Sequence, residues 1–400
     1  MDTTITTTTT TTNPTSTQRK ESVNNENSIT ASKLSKQIII LFDSENSSDN
    51  AEVEKLMKSL LESPVSDISF YASIFLNNEE LFQSILNKIL LDSFGQKSDI
   101  VCKWFYTWYH LNSCLTSKKF VLSFLPVLLW VYLTKCGPNN ALVGLESVLI
   151  CIYNQEYIKR GLKEKVFNPP TLSLPSYIYK SEEIFPSGNS SLTESMLKNL
   201  NQQSKSIILE KPLPRIESIT SHNRNILIKT IQSVYTQNIL SLSIISRVLF
   251  CEMTTRISAL GYKYIEDFPV CERIIKIDTK IPESNEQSTS NNINNNNNNT
   301  GNIEHYKPIT GLTNYLIHRN SIEEQNNYTK ELSKKRVFLS ETIYQDLITA
   351  LTLCAFQETT RECAKISINS INKRASFDLI AEIMLSTNSL LHILNQKKEN

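Results

Sequence analysis

The chain contains 8 glycines in 400 residues, where an average composition would supply about 28 (~7 %). They stand at positions 95, 137, 144, 161, 188, 261, 301 and 311, and no two are closer than 7 positions. The glycine-rich loops of dinucleotide-binding folds and nucleoside triphosphatases need several glycines within a few positions, because only glycine lets backbone N–H groups close around phosphate. No such loop can be built from this spacing. Turn-rich β-sandwiches and barrels, which need glycine at frequent hairpins, are disfavoured by the same count. Helices joined by polar loops remain.

Apolar spacing along the chain is helical. Asn77 and Asn78, then Glu79 and Glu80, precede Leu81, Phe82, Ile85, Leu86, Ile89 and Leu90, and Gly95 closes the run. Acids at the start and apolar residues every three or four positions predict an amphipathic helix. Ser98 and Asp99 open the next, whose apolar face is Val101, Trp104, Phe105, Trp108 and Tyr109. The run Phe120–Leu133, with Pro126 inside, reads as a buried helix kinked at the proline. It has 14 residues, short of the roughly 20 that a membrane span needs, so no transmembrane span is expected. Leu142, Leu145, Leu149, Ile152 and Tyr153 make another stripe, ended by Gly161. Further helices are predicted over 222–238, 243–260, 340–356, 360–373 and 377–395. A capping-box spacing at Ser191-Leu-Thr-Glu194 marks one more helix start. The fold class is therefore all-α, an irregular multi-helix bundle or short helical stack.

Two tracts depart from this pattern. Residues 1–35 are rich in Thr, Asn and Ser, and 282–303 include the run Asn294–Asn299. Both are too polar to offset the entropy of ordering, and both are expected to be disordered. The second then reads as an insertion between a first helical part, 50–281, and C-terminal helices over 304–396. Four prolines at 169, 170, 175 and 186 impose an extended loop between helices, long enough to carry contacts.

Charge and cysteine usage place the chain in a broad class. There are 41 basic and 40 acidic residues, a net charge of +1, so no bulk attraction to nucleic acid is expected. The 8 cysteines show no C-x-x-C pair and fall mostly in apolar helical stretches, as buried free thiols do in a reducing compartment. The N-terminus begins MDTTITTTTTTT, without the basic and apolar blocks of a secretory signal. A cytosolic location is expected.

Catalytic patterns are missing. The five histidines (110, 222, 305, 318 and 392) form no H-E-x-x-H motif and no zinc-ligand spacing, and G-x-S-x-G, H-R-D, D-F-G and a Walker lysine do not occur. No catalytic residue, metal or cofactor is predicted. Two surface features are candidates for binding. The cluster Lys159, Arg160, Lys163 and Lys165 lies at and beyond a helix end, where cations complement the helix dipole and where contact with phosphoinositide head groups or an acidic partner is the sharper reading. In the proline loop, Leu174, Pro175, Tyr177 and Tyr179 are exposed on a backbone already restricted by proline, which lowers the entropic cost of binding. The cluster Lys334, Lys335 and Arg336 is expected to be solvated.

Several strings resemble one family. FLPVLLWVYL at Phe124–Leu133 is similar to a helix of the hyccin family. Leu145-Glu146, Leu149 and Tyr153-Asn154-Gln155-Glu156 resemble its next stretch. Phe167, Pro170, Leu172-Ser173 and Pro175-Ser176 match its proline loop in order, followed by Leu192-Thr193-Glu194-Ser195, Asn223-Arg224, Tyr235, Arg256 and Gly261-Tyr262. Phe356, Ala364, Ile371, Arg374 and Ala375 fit its last helices. The longer N-terminal extension and the asparagine tract depart from the family. The resemblance implies an all-helical, non-enzymatic adaptor that binds a tetratricopeptide-type scaffold subunit. It further implies stabilisation of phosphatidylinositol 4-kinase type III alpha at the plasma membrane, to which a membrane-anchored subunit recruits the assembly and where phosphatidylinositol 4-phosphate is made. On this view the chain is cytosolic and reaches the membrane through partners. A helical adaptor of an unrelated cytosolic complex is the alternative.

Overall fold

The computed structural model describes residues 30–42, 50–91, 93–111, 114–137, 142–161, 163–167, 207–262 and 336–396. Among these the fold is helical: α1 (30–42), α2 (Asn50–Leu61), α3 (Val65–Leu76), α4 (Glu79–Leu90), α5 (Ile100–His110), α6 (Leu115–Ser123), α7 (Leu125–Lys135), α8 (Val143–Arg160), α9 (Arg224–Asn238), α10 (Ile244–Ala259), α11 (Glu341–Ala355), α12 (Arg361–Asp378) and α13 (Ala381–Gln396). A small antiparallel pair, β1 (Lys165–Phe167) with β2 (Ile207–Glu210), is the one departure from all-α among the described residues. Two compact units can be separated, one of residues 1–152 with 218–400, the other of 153–217. The asparagine tract, the capping box at Ser191 and the whole proline loop lie outside the described residues.

Local chemistry explains the helix starts. Asn78 accepts the Leu81 N–H at 3.0 Å, Asp99 accepts those of Cys102 and Gly95 at 3.0 and 3.1 Å, and Ser243 accepts that of Ser246 at 3.2 Å. The bonds to Leu81, Cys102 and Ser246 satisfy donors that a helix N-terminus leaves unpaired, and the bond to Gly95 ties down the turn before α5. Helix α1 begins earlier than the polar extension suggests. Ala31, Ser35, Ile38 and Phe42 are buried at helical spacing, Ser35 takes a hydrogen bond from Asn78 at 3.3 Å, and Lys88 lies over the Phe42 ring at 5.9 Å. The stripe packs α1 on α4.

The aromatic run over 104–124 is core. Phe75 of α3, Trp104, Phe105 and Trp108 of α5, and Phe120 and Phe124 around the end of α6 are all buried. Ring centroids lie 5.2 Å apart for Trp104–Trp108, Trp108–Phe120 and Phe105–Phe124, and 4.3 Å for Phe82–Phe124. Such pairs add about 0.5–1.5 kcal/mol each beyond their burial. Tyr106 is the exception, 42 % exposed on the outer side of α5. The expected kink is present as a 46° bend between α6 and α7. It falls at Phe124 rather than Pro126, because the proline sits at the second position of α7, where its missing N–H costs no intrahelical bond. No single described helix is long and apolar enough to cross a membrane. Every α7 residue from Leu125 to Leu133 is buried within the protein.

Helix α10 packs against both α7 and α12. Along the α10–α12 contact, hydroxyls of one helix bond to carbonyls of the other. Ser367 Oγ donates to Cys251 O at 2.7 Å and lies 2.9 Å from Thr255 Oγ1, and Ser370 Oγ donates to Thr255 O at 2.8 Å. These small side chains, with Ala364 and Ala259, are fully buried or nearly so, and they let the two backbones approach closely.

Helix α12 runs past the predicted end at 373 and stops at Asp378. Leu379 then takes the left-handed conformation (φ 55°), and the Ile380 N–H returns to Ala375 O at 2.9 Å. This is the hydrogen bonding of a Schellman stop, usually built on glycine. Gly144, by contrast, lies inside the first turn of α8 and ends nothing. A Cβ there would stand 2.3 Å from Gln96 O, and its own N–H donates to Gly95 O at 2.9 Å.

Two reciprocal substitutions test these positions. Gly144→Ala should destabilise the protein by about 1–3 kcal/mol through overpacking against backbone, although alanine is the better helix former by about 1 kcal/mol. Leu379→Gly should stabilise it by about 1 kcal/mol by relieving the left-handed strain. Urea unfolding followed by circular dichroism reads both, and opposite signs would refute the packing described.

Candidate functional site

The predicted basic cluster divides once its neighbours are placed. At the end of α8, Arg160 Nε donates to Glu156 Oε1 at 3.0 Å and Lys159 Nζ lies 3.7 Å from Glu156 Oε2. Arg160 is withdrawn, its side chain 13 % exposed, whereas Lys159 is 71 % exposed. Lys163 is also exposed, and Lys165 starts β1, in register with Glu210. One carboxylate thus answers two of the cations, withdrawing Arg160, while Lys159, within reach of Glu156, and Lys163 keep their ammonium groups turned to solvent. Tyr153, one turn before Glu156, donates its hydroxyl to Pro214 O at 2.5 Å; burial lifts its pKa to about 12, against the pull of Arg160. The second predicted site, Leu174, Pro175, Tyr177 and Tyr179, lies outside the described residues. His110 is exposed at the end of α5, stacked on Tyr106 with centroids 5.8 Å apart.

The most charged buried arrangement was not predicted. Arg374 on α12 is 1 % exposed. Its Nε donates to Asp378 Oδ2 at 2.6 Å, its Nη1 to Ser258 O and Leu260 O at 3.3 and 3.2 Å, and its Nη2 to Val337 O at 2.9 Å. The guanidinium therefore caps the C-terminus of α10, where carbonyls lack helical partners and a cation is favoured. It also lies over the Tyr262 ring at 4.5 Å, and Arg336 lies over the same ring at 5.2 Å. Asp378 accepts from Tyr262 Oη at 2.5 Å and from Arg336 as well as from Arg374. Burial opposes the charged carboxylate, but hydrogen bonds from Tyr262 and Arg374 and the two positive charges outweigh it, holding Asp378 below its ordinary pKa. Tyr344 is buried beside this group, its hydroxyl unpartnered among the described residues, and burial raises its pKa.

Arg336 is consequently not the solvated residue that the sequence implies, although its side chain remains 62 % exposed. Lys334 and Lys335 lie outside the described residues. The clasp joins residues more than a hundred positions apart, so spacing could not reveal it. One local signal existed: Arg374 and Asp378 stand four apart on a helix, with Arg374 in line with the buried Ser367, Ser370 and Ile371.

Removing the carboxylate leaves a buried guanidinium without its counter-ion. Asp378→Ala should therefore lower the unfolding free energy at neutral pH by about 3 kcal/mol, the lower end of the 3–5 kcal/mol for a broken buried pair, because the three carbonyl bonds of Arg374 remain. Because the folded pKa lies below the unfolded value near 3.8, this stability is present above about pH 4 and is lost as pH falls through the folded pKa. The gap between the parent and Asp378→Ala should narrow on acidification, as read from urea midpoints at pH 7 and pH 3.

Residues brought together here recur among the strings that resemble hyccin: Gly261, Tyr262 and Arg374 meet in the clasp, and Glu156 holds Arg160 at the end of α8. The hyccin family profile matches residues 66–400, which takes in α4–α13, both strands and all but the first residue of α3. By a match that covers most of its length, the chain belongs to the hyccin family.

Proposed function

We propose that the chain is a non-catalytic adaptor that binds a tetratricopeptide-type scaffold and stabilises phosphatidylinositol 4-kinase type III alpha at the plasma membrane, supporting phosphatidylinositol 4-phosphate synthesis. The observation that carries this reading is the family match over 66–400. The kinase would perform the chemistry, and a membrane-anchored subunit would recruit the assembly, so that this chain is cytosolic and peripheral to the membrane through its partners.

The helical body supports the role physically. Its polar side chains are engaged in holding helices together, as the Ser367, Ser370 and Arg374 bonds illustrate. A rigid body loses little conformational entropy on docking. Leu174, Pro175, Tyr177 and Tyr179 are the residues we assign to scaffold contact, and Lys159 and Lys163 to an acidic partner or lipid, with Arg160 held back by Glu156.

Affinity capture of the full chain from native cells should return a lipid kinase and a repeat scaffold together, and their joint absence would reject the reading. Changing Tyr177 and Tyr179 to alanine should weaken scaffold capture at least tenfold, as hot-spot aromatics do, while the helical circular-dichroism signal stays intact. Scaffold co-purification at undiminished yield would remove that loop from the interface.

A further inference from the structure

Between Asp99 and Glu146 the chain contains no carboxylate, yet it carries Lys103, His110, Lys118, Lys119 and Lys135. Lys135 is used internally: its Nζ donates to Leu90 O and Leu91 O at 3.0 and 2.8 Å, capping α4. The other four lie on α5 and α6, two packed helices joined by a short turn. On α5, Lys103, Tyr106 and His110 are exposed and follow one another at three- and four-residue steps, so they share one face. From α6, Lys118 lies over the Tyr109 ring at 5.7 Å, and Cys151 Sγ reaches Tyr106 O at 3.9 Å while sensing the Lys118 charge. Leu115 opens α6 at 65 % exposure, one turn before Lys119. Lys103 and Lys119 make no ion pair among the described residues. On the elements packed behind, Asp67 of α3 accepts from Ser66 at 3.1 Å, Glu62 just past α2 pairs with Lys58 at 4.0 Å, and Glu52 and Glu54 of α2 are exposed.

Cations with no acid among them, beside an exposed tyrosine and an exposed leucine, are what an anionic membrane surface recognises. Lysine stems lie along apolar material while their ammonium groups remain in water, tyrosine is stable at the head-group level, and leucine inserts. A protein partner would require a matching pattern of directed acceptors; a lipid surface requires only negative potential and apolar depth. We propose that this outer face of α5 and α6, formed by Lys103, Tyr106, His110, Leu115, Lys118 and Lys119, rests directly on an anionic lipid bilayer. The contact stands on the charge distribution alone and does not depend on the kinase-complex reading.

The test is flotation of the purified full chain with vesicles of phosphatidylcholine, and of phosphatidylcholine carrying about one fifth phosphatidylserine. Binding should require phosphatidylserine and weaken as salt rises, because a surface contact of this kind is screened. Each lysine near such a surface changes the partition by about fivefold, so Lys103→Ala with Lys119→Ala should weaken it by about 25-fold with an unchanged helical signal. Leu115→Ser should weaken binding at every salt concentration. Failure of the parent chain to float, or binding that survives loss of Lys103 and Lys119, would each overturn the proposal. So would capture by an acidic polypeptide without any flotation.

Discussion

Helix α10 is joined to α12 by side chains that donate to carbonyls along its length, and the larger unit is organised around that contact. Ser367 reaches Cys251 O, Ser370 reaches Thr255 O, and Arg374 reaches Ser258 O and Leu260 O. The donors step by three and four residues on α12 while the acceptors step by two to four on α10, so the bonds define one register. Each neutral bond contributes about 1 kcal/mol net, but a donor left buried without its acceptor costs about 1–3 kcal/mol. A slip of one residue would strand all of them together. Because α7 also packs against α10 and leads back through Phe124 to the aromatic cluster, the seam also links the N-terminal helices to the C-terminal ones.

The same seam ends at Gly261 and Arg336. A Cβ on Gly261 would lie 2.4 Å from Arg336 Cα, so positions 261 and 336 meet backbone to backbone. Gly261 is required twice there, for its positive φ of 80° and for that approach. Tyr262 and Arg336, one from each side, close over Asp378 and Arg374. The clasp fixes both ends of whatever lies between them, and the helical body can therefore accommodate a long intervening segment without losing its register. Loop closure explains why: once the ends are held, added length costs only in proportion to its logarithm.

Most of the helices were legible because their signals are local. Asp99 before an aromatic stripe, Ser243 and Ser340 before apolar runs, and the prolonged apolar stretch around Phe124 predict α5, α10, α11 and the α6–α7 pair to within a few residues. The failures share a physical cause. The sequence implies an end of α12 near 373 because no glycine marks Asp378–Ile380, and a leucine performs the left-handed stop instead. Scarcity of glycine, which excludes phosphate loops so readily, also hides a helix stop. Helix α1 was merged into the polar extension because Ala31 and Ser35 carry little hydrophobic signal, although their spacing from Ile38 and Phe42 is helical. The clasp depends on tertiary neighbours, and no spacing rule reaches across from Tyr262 to Asp378.

The candidate surfaces divide along the same line. Lys159, Arg160 and Lys163 look equivalent in the sequence, but Glu156 withdraws Arg160 and partly answers Lys159. Tyr106 looks like part of a core stripe, but it stands one position off the buried face of Trp104, Phe105, Trp108 and Tyr109, and so faces outward. Whether a cation or an aromatic ring is available to a partner is decided by its angle about the helix and by the nearest opposite charge, neither of which composition records. A helical body of this kind has its stabilising polar groups turned inward and a few turned outward, and those few are held in place at little further entropic cost.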